Sequence, residues 1–173
     1  MTNRKLRDLN RKRKIHQICI VTKDLEKTMK KWVECLGIGP WKVIEFTEKT
    51  VKNFKVGGKP VTEPFKFRLA FTQVGDIEFE LAQPVYGPNI YSRFLEEKGE
   101  GLHHIKEKIS DDNMEKALAD YKKKGIEVMQ SGQFIASTHY YLNSEPILDF
   151  IYELGNCPVQ NVPPELVRIY TEE

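Results

Sequence analysis

Four residues of this chain have the types and spacing to hold a divalent cation: His16, Glu80, His104 and Glu153. Imidazole nitrogen combined with carboxylate oxygen suits Zn²⁺, Co²⁺, Ni²⁺, Mn²⁺ or Fe²⁺, with further positions open to water or substrate. The sequence does not choose among these ions. A lone strand histidine or glutamate is ordinarily a structural or solvent-facing residue. Here each occurs twice in matched settings, and the duplication is what points to a common centre.

The segment from Lys14, KIHQICIVTKDLEKTMKKWVECLGI, reads like the segment from Gly101, GLHHIKEKISDDNMEKALADYKKKGI. His16 and His104 lie 88 residues apart, as do Asp24 and Asp112, and Gly37-Ile38 matches Gly125-Ile126 at the same offset. Each segment is a β-like run, an acidic turn and an amphipathic helix ending in glycine. Leu25, Met29, Trp32, Val33 and Leu36 fall at three- and four-residue steps, as do Met114, Leu118 and Tyr121. Asp24 and Asp112 stand where helix caps are expected, Gly37 and Gly125 where left-handed termini are expected.

A strand-rich stretch follows each helix and closes on an aromatic-Glu-Leu triplet, Phe79-Glu80-Leu81 and Tyr152-Glu153-Leu154. Strand side chains alternate faces, so Phe79 and Leu81 point one way and Glu80 the other, and the same holds for Tyr152 and Leu154 against Glu153. Both glutamates therefore face whatever the sheet curls around. The triplets are only 73 residues apart, so the first half is longer by about 15 residues. The excess falls at Thr47 to Glu63, read as a hairpin or loop over the sheet, either a substrate lid or an inert insertion.

The expected architecture is α+β: two βαβββ modules forming a curled mixed sheet around a metal site. A chain of 173 residues supports one compact unit. We divide it into a basic arm (1–14), a single domain (15–157, with repeat one at 15–84 and repeat two at 101–157) and a tail (158–173) in which a short helix is expected to pack on the body or on a partner. The first 14 residues carry seven Arg or Lys against Asp8 alone, leaving 20 basic and 24 acidic residues elsewhere, about four charges negative. The arm reads as solvated; no aromatic residue interleaves its charges, and no nucleic acid is expected as a partner. No apolar run suits a membrane span and no secretory signal is visible, so cytoplasm is the expected compartment, in keeping with three cysteines that form no C-x-x-C pair.

Over residues 14 to 156 the chain resembles the vicinal oxygen chelate superfamily, which includes glyoxalase I, methylmalonyl-CoA epimerase, extradiol dioxygenases and bleomycin-resistance proteins. The resemblance is closest to the epimerase branch. It is carried by the run from His16 through Lys27, by Glu80-Leu81-Ala82-Gln83-Pro84 and above all by Gly99-Glu100-Gly101-Leu102-His103-His104-Ile105. It implies the glyoxalase-like fold, with His16, Glu80, His104 and Glu153 as ligands of one divalent ion (Co, Ni, Zn, Mn or Fe) and His103 facing the opposite side. It further implies a metal-dependent epimerase or isomerase that removes a proton next to a metal-polarised carbonyl, with Glu153 as first base and Glu80 as partner. The implied substrate is a small molecule, an acyl-CoA thioester being one candidate, and the family admits a homodimer.

Two other readings stay open: a glyoxalase I-like lactoylglutathione lyase or related lyase, and a metal-free small-molecule binding or resistance protein. The chain departs from the epimerase pattern at Lys106 and Glu107 beside the second histidine, at Gly87 to Tyr91, and at Asn143 to Leu148. Lys106 shares a face with His104 and either reaches the cavity or snorkels to the surface. Glu45 and Glu63 are further acidic candidates, and His139 lies outside both motifs.

Overall fold

The computed structural model describes residues 1–170; the last three residues of the expected tail lie outside the described residues. In chain order the elements are α1 (Asn3–Asn10), β1 (Ile15–Val21), α2 (Leu25–Leu36), β2 (Trp41–Thr47), β3 (Val51–Val56), β4 (Lys59–Pro60), β5 (Lys66–Val74), β6 (Ile77–Tyr86), α3 (Ile90–Lys98), β7 (Gly101–Lys108), α4 (Asp111–Lys122), β8 (Val128–Phe134), β9 (Ser137–Leu142), α5 (Glu145–Leu148), β10 (Ile151–Gly155), a 3₁₀ turn (Pro164–Leu166) and β11 (Val167–Tyr170). The strands form one mixed sheet in the order β11-β2-β5-β6-β1-β7-β10-β9-β8-β3-β4. This is the expected α+β glyoxalase-like fold. Among the described residues no helix is long and apolar enough to cross a membrane.

Helix α2 forms as its sequence dictates. Asp24 is extended and its carboxylate accepts from the Lys27 amide at 3.0 Å, while Gly37, at φ 65°, ends the helix in the left-handed conformation. Leu25, Met29, Trp32 and Val33 then pack on Trp41, Val43, Ala70 and Leu81 of the sheet's outer face. Helix α4 packs Met114, Ala117, Leu118 and Tyr121 against Leu142 and Leu154 in the second half. Its cap position is Ser110, and Asp111 and Asp112 both sit in the first turn, where carboxylates complement the helix dipole. Asp112 is thus inside the helix rather than at its cap.

The sheet fixes the relation between the halves. Strand β1 runs parallel to β6 with Cys19 opposite Glu80, and β7 runs parallel to β10 with Lys106 opposite Glu153. Between the halves β1 and β7 are antiparallel, with Gln17 opposite Lys106 and Cys19 opposite His104. A pseudo-twofold axis that exchanges Glu80 with Glu153 therefore exchanges Cys19 with Lys106 and Gln17 with His104, an offset of 87 residues rather than 88.

Three elements differ from the sequence reading. The excess of the first half forms the expected hairpin, β3 with β4, but β3 leaves its own half and pairs with β8, burying Val51 and Phe54 rather than lying free as a lid or an inert loop. Residues between the repeats form α3, capped by Asn89, which accepts from the Ser92 amide at 2.9 Å; it buries Ile90, Tyr91 and Phe94. The tail adds strand β11 to β2, where a helix was expected. The basic arm includes α1, which buries no residue; it is tied down at its end by Arg13, 2.6 Å from Glu107.

Candidate metal centre and cavity

On the concave face three of the four expected ligands converge. Glu80, His104 and Glu153 are all buried. His104 Nε2 lies 2.9 Å from Glu153 Oε2 and 3.8 Å from Glu80 Oε1. The fourth, His16, does not join them. Its side chain is 35 % exposed and its Nε2 lies 4.0 Å from Glu78 at the rim. The cause is a register shift between Ile15 and Gln17, which leaves His16 out of the β1–β7 pairing and turns the next residue inward.

That residue is Gln17. It is buried, its Oε1 lies 3.3 Å from His104 Nε2, and its amide donates to Glu78 Oε1 at 2.7 Å. With its amide nitrogen so engaged, the carbonyl oxygen is the end presented to the centre. Alignment of the two strands by their inward positions, Gln17-Cys19 on His104-Lys106, is the signal that identifies it.

The donor types suit a divalent ion. Ligands at the 2.0–2.2 Å typical of such ions stand about 3.0–3.4 Å apart in regular geometries, and the 2.9, 3.3 and 3.8 Å around His104 Nε2 are of that order. Glu80 Oε1 is buried and has no hydrogen-bond donor among the described residues. A buried carboxylate oxygen left in that state is costly unless something fills the gap. Behind the centre, His103 and His104 share a hydrogen bond between their Nδ1 atoms, 2.9 Å apart. When His104 donates it, the Nε2 lone pair is directed at the carboxylates, which is how outer partners set the tautomer of a ligand histidine. Cys19, His103 and His104 also bring donor atoms within 4.8 Å of one another, all buried.

Lys106 does not snorkel. It is buried and its ammonium lies 2.9 Å from Glu153 Oε1, the oxygen that His104 leaves free. The space it occupies exists because residue 155 is glycine: a Cβ there would collide with Lys106 Cε and stand 3.2 Å from its Nζ. Burial alone would lower the lysine pKa, but Glu153 outweighs it and raises it. For Glu153, burial acts upward and is overcome by Lys106 and His104, which hold it at about 2. Burial pushes Glu80 up to about 7, against the attraction of His104. Two equivalent carboxylates thus have opposite environments, the usual basis for dividing acid and base roles. Loss of one partner from a buried ion pair typically costs about 3–5 kcal/mol, so Lys106 and Glu153 hold each other in place.

Above the centre opens a cavity of about 250 Å³. Its upper walls are apolar and rich in rings: Phe46 stacks on Phe67 with centroids 5.3 Å apart and meets Phe134 of the other half at 4.6 Å. His139 lines it too, with its pKa lowered to about 4 by burial, and Cys157, Pro158, Gln160 and Val162 complete one side. Tyr141 faces it and exchanges a 2.8 Å hydrogen bond with Tyr91. Glu45 lies outside, paired with Lys66 at 2.6 Å, and Glu63 is exposed.

A family model described as the glyoxalase/bleomycin resistance protein/dioxygenase superfamily matches residues 16–141. A 43-residue stretch is 44% identical to the uncharacterized protein YqjC of Bacillus subtilis (strain 168), covering 25% of this chain and 31% of that relative's length. Among solved structures, a hypothetical protein from Bacillus halodurans C-125 superimposes with a TM-score of 0.61 at 17% identity, over 88% of this chain and 99% of that one. A Streptomyces coelicolor methylmalonyl-CoA epimerase in complex with 2-nitronate-propionyl-CoA does so at 0.60 and 20%, over 86% and 98%. A methylmalonyl-CoA epimerase in complex with methylmalonyl-CoA and ammonium does so at 0.58 and 21%, over 83% and 93%. At these identities the structural likeness speaks for the fold alone. The family model spans well over half of the sequence, and the chain belongs to the glyoxalase/bleomycin resistance protein/dioxygenase superfamily.

Proposed function

We propose that this protein is a metal-dependent epimerase or isomerase that removes a proton next to a carbonyl. The observation that carries the reading is the convergence of Gln17 Oε1, Glu80 Oε1, His104 Nε2 and Glu153 Oε2 at the floor of an apolar cavity. These four residues would hold the ion; His16, at the rim, gives up its expected place to Gln17. When bound, a divalent cation supplies Lewis acidity toward a substrate oxygen, worth several kcal/mol to a developing enolate.

The chain's own residues divide the remaining work. Glu153, held by Lys106 and His104, is a weak base and serves mainly as a fixed negative ligand. Glu80, which has no ammonium partner among the described residues and whose Oε2 is not assigned to the ion, is the better proton acceptor. The expected order of the two bases is therefore reversed in this proposal. The phenyl rings exclude water from the reacting carbon.

The test is deuterium exchange into a panel of 2-methylacyl-CoA thioesters and hemithioacetals in ²H₂O, with metal content measured in parallel. Exchange at the carbon beside the carbonyl, lost on Glu80→Gln, is expected; full exchange by Glu80→Gln excludes Glu80 as base. Oxygen consumption without exchange would sink the whole reading. A second reading, a metal-free binding protein, is favoured by one observation: the Lys106 ammonium already neutralises part of the buried charge. Freshly purified protein without stoichiometric metal, and with no gain in thermal stability on adding Zn²⁺, Co²⁺, Ni²⁺ or Mn²⁺, would favour it.

A further inference from the structure

Lys106 changes the charge of the centre, and charge decides what a buried floor will accept. Glu80 and Glu153 contribute two negative charges at the floor, both required in ionised form to hold a divalent ion. Without the lysine, such a loaded floor would be neutral. With the ammonium 2.9 Å from Glu153 Oε1, it carries one net positive charge. The charged groups at the rim, Lys42 and Glu78, cancel each other, and the rest of the lining, the phenyl walls together with Ser137, His139 and Gln160, offers no counter-charge.

Size adds a second constraint. About 250 Å³ exceeds the roughly 150 Å³ of a cavity that takes one benzene ring. That holds one ring with a short polar head. The nucleotide of a coenzyme A thioester exceeds it several-fold and would have to lie outside.

We propose that Lys106, seated in the space left by Gly155, is a specificity-determining cation that makes this cavity select compact monoanions with a flat apolar body. The inference rests on the metal-centre reading given above. The anionic head meets the positively charged floor, and the body lies between the phenyl rings. A neutral ligand of the same shape gains the ring contacts and leaves the floor's charge uncompensated in a medium of low dielectric. Gly155 is a positioning residue: a side chain there drives the ammonium off Glu153 while leaving the lysine in the chain.

The experiment is calorimetric titration of the Co²⁺-loaded protein with mandelate and with mandelamide, its neutral near-isostere, alongside Co²⁺ stoichiometry by elemental analysis. Wild type is expected to prefer mandelate by about tenfold or more, the value of one charge-assisted contact. Among variants that still take up Co²⁺, Lys106→Met should lose that preference. Gly155→Ala should lose it too, and Lys106→Arg, which keeps the charge, should retain most of it. Failure of the wild type to take up Co²⁺ overturns the metal reading and the inference with it. Uptake of Co²⁺ with equal affinity for the two probes, binding of neither, or parallel weakening of both by Lys106→Met overturns the inference alone.

Discussion

Gln17 Oε1 lies 3.3 Å from His104 Nε2, and the two residues occupy equivalent positions of the two halves. One half thus presents an amide oxygen where the other presents an imidazole nitrogen. If this pairing builds the centre, Gln17→Ala should weaken Co²⁺ binding at least about tenfold, a loss within the range found even for groups that support ligands. His16→Ala should change it less than about threefold. Equilibrium dialysis against Co²⁺ distinguishes them, and the reverse ranking would restore His16 as the ligand.

The hydroxyls of Tyr91 and Tyr141 meet at 2.8 Å with both rings buried, so each is the other's partner. Either single Phe substitution strands the remaining hydroxyl and should cost about 1–3 kcal/mol. The double substitution should cost less than the sum. Urea unfolding of the four-member cycle reads the coupling; strict additivity would show that the contact carries no energy.

Gly87 has φ 77°, and a Cβ there would collide with the backbone carbonyl of Pro64. Both the strain and the clash fall on main chain that cannot swing aside. Gly87→Ala should therefore destabilise by more than about 2 kcal/mol. A thermal midpoint within one or two degrees of wild type would show that the 64–65 segment yields.

Arg68, whose guanidinium is 2.5 Å from the Glu26 carboxylate, holds that carboxylate at about 2, below its ordinary 4.5, with Arg168 assisting at 2.7 Å. A depressed carboxylate stabilises the fold in full above about pH 4.5 and loses that contribution as pH falls toward 2. The side chain is 43 % exposed, so solvent screening keeps the effect under about 1 kcal/mol. Glu26→Gln should flatten the fall in stability between pH 5 and pH 3 measured by urea unfolding. An unchanged slope would assign it to other groups.

Much of the centre was legible in the chain. Alternation around Glu80 and Glu153 places both on the concave face because strand periodicity is a property of the backbone, and α2 begins and ends at Asp24 and Gly37 because capping is local. What escaped depends on distant contacts. A one-residue bulge before Gln17 leaves no mark in the letters, yet it turns Gln17 inward and leaves His16 at the rim. The burial of Lys106 needs the vacant Cβ position of Gly155, 49 residues later. The partner of β3 lies in the other half, where no local pattern could name it.

That last pairing bears on how the chain reaches its fold. Val51 is opposite Phe134, so the first half finishes its excursion only on a strand made more than 80 residues later. Contacts so far apart in sequence slow folding because the intervening loop must be closed first. During synthesis the first repeat leaves the ribosome with β3 paired only to β4, its other edge exposed until β8 arrives. Splitting the chain between Tyr86 and Gly101 should therefore give two fragments that are each incomplete, even though the sequence looks like the same unit written twice.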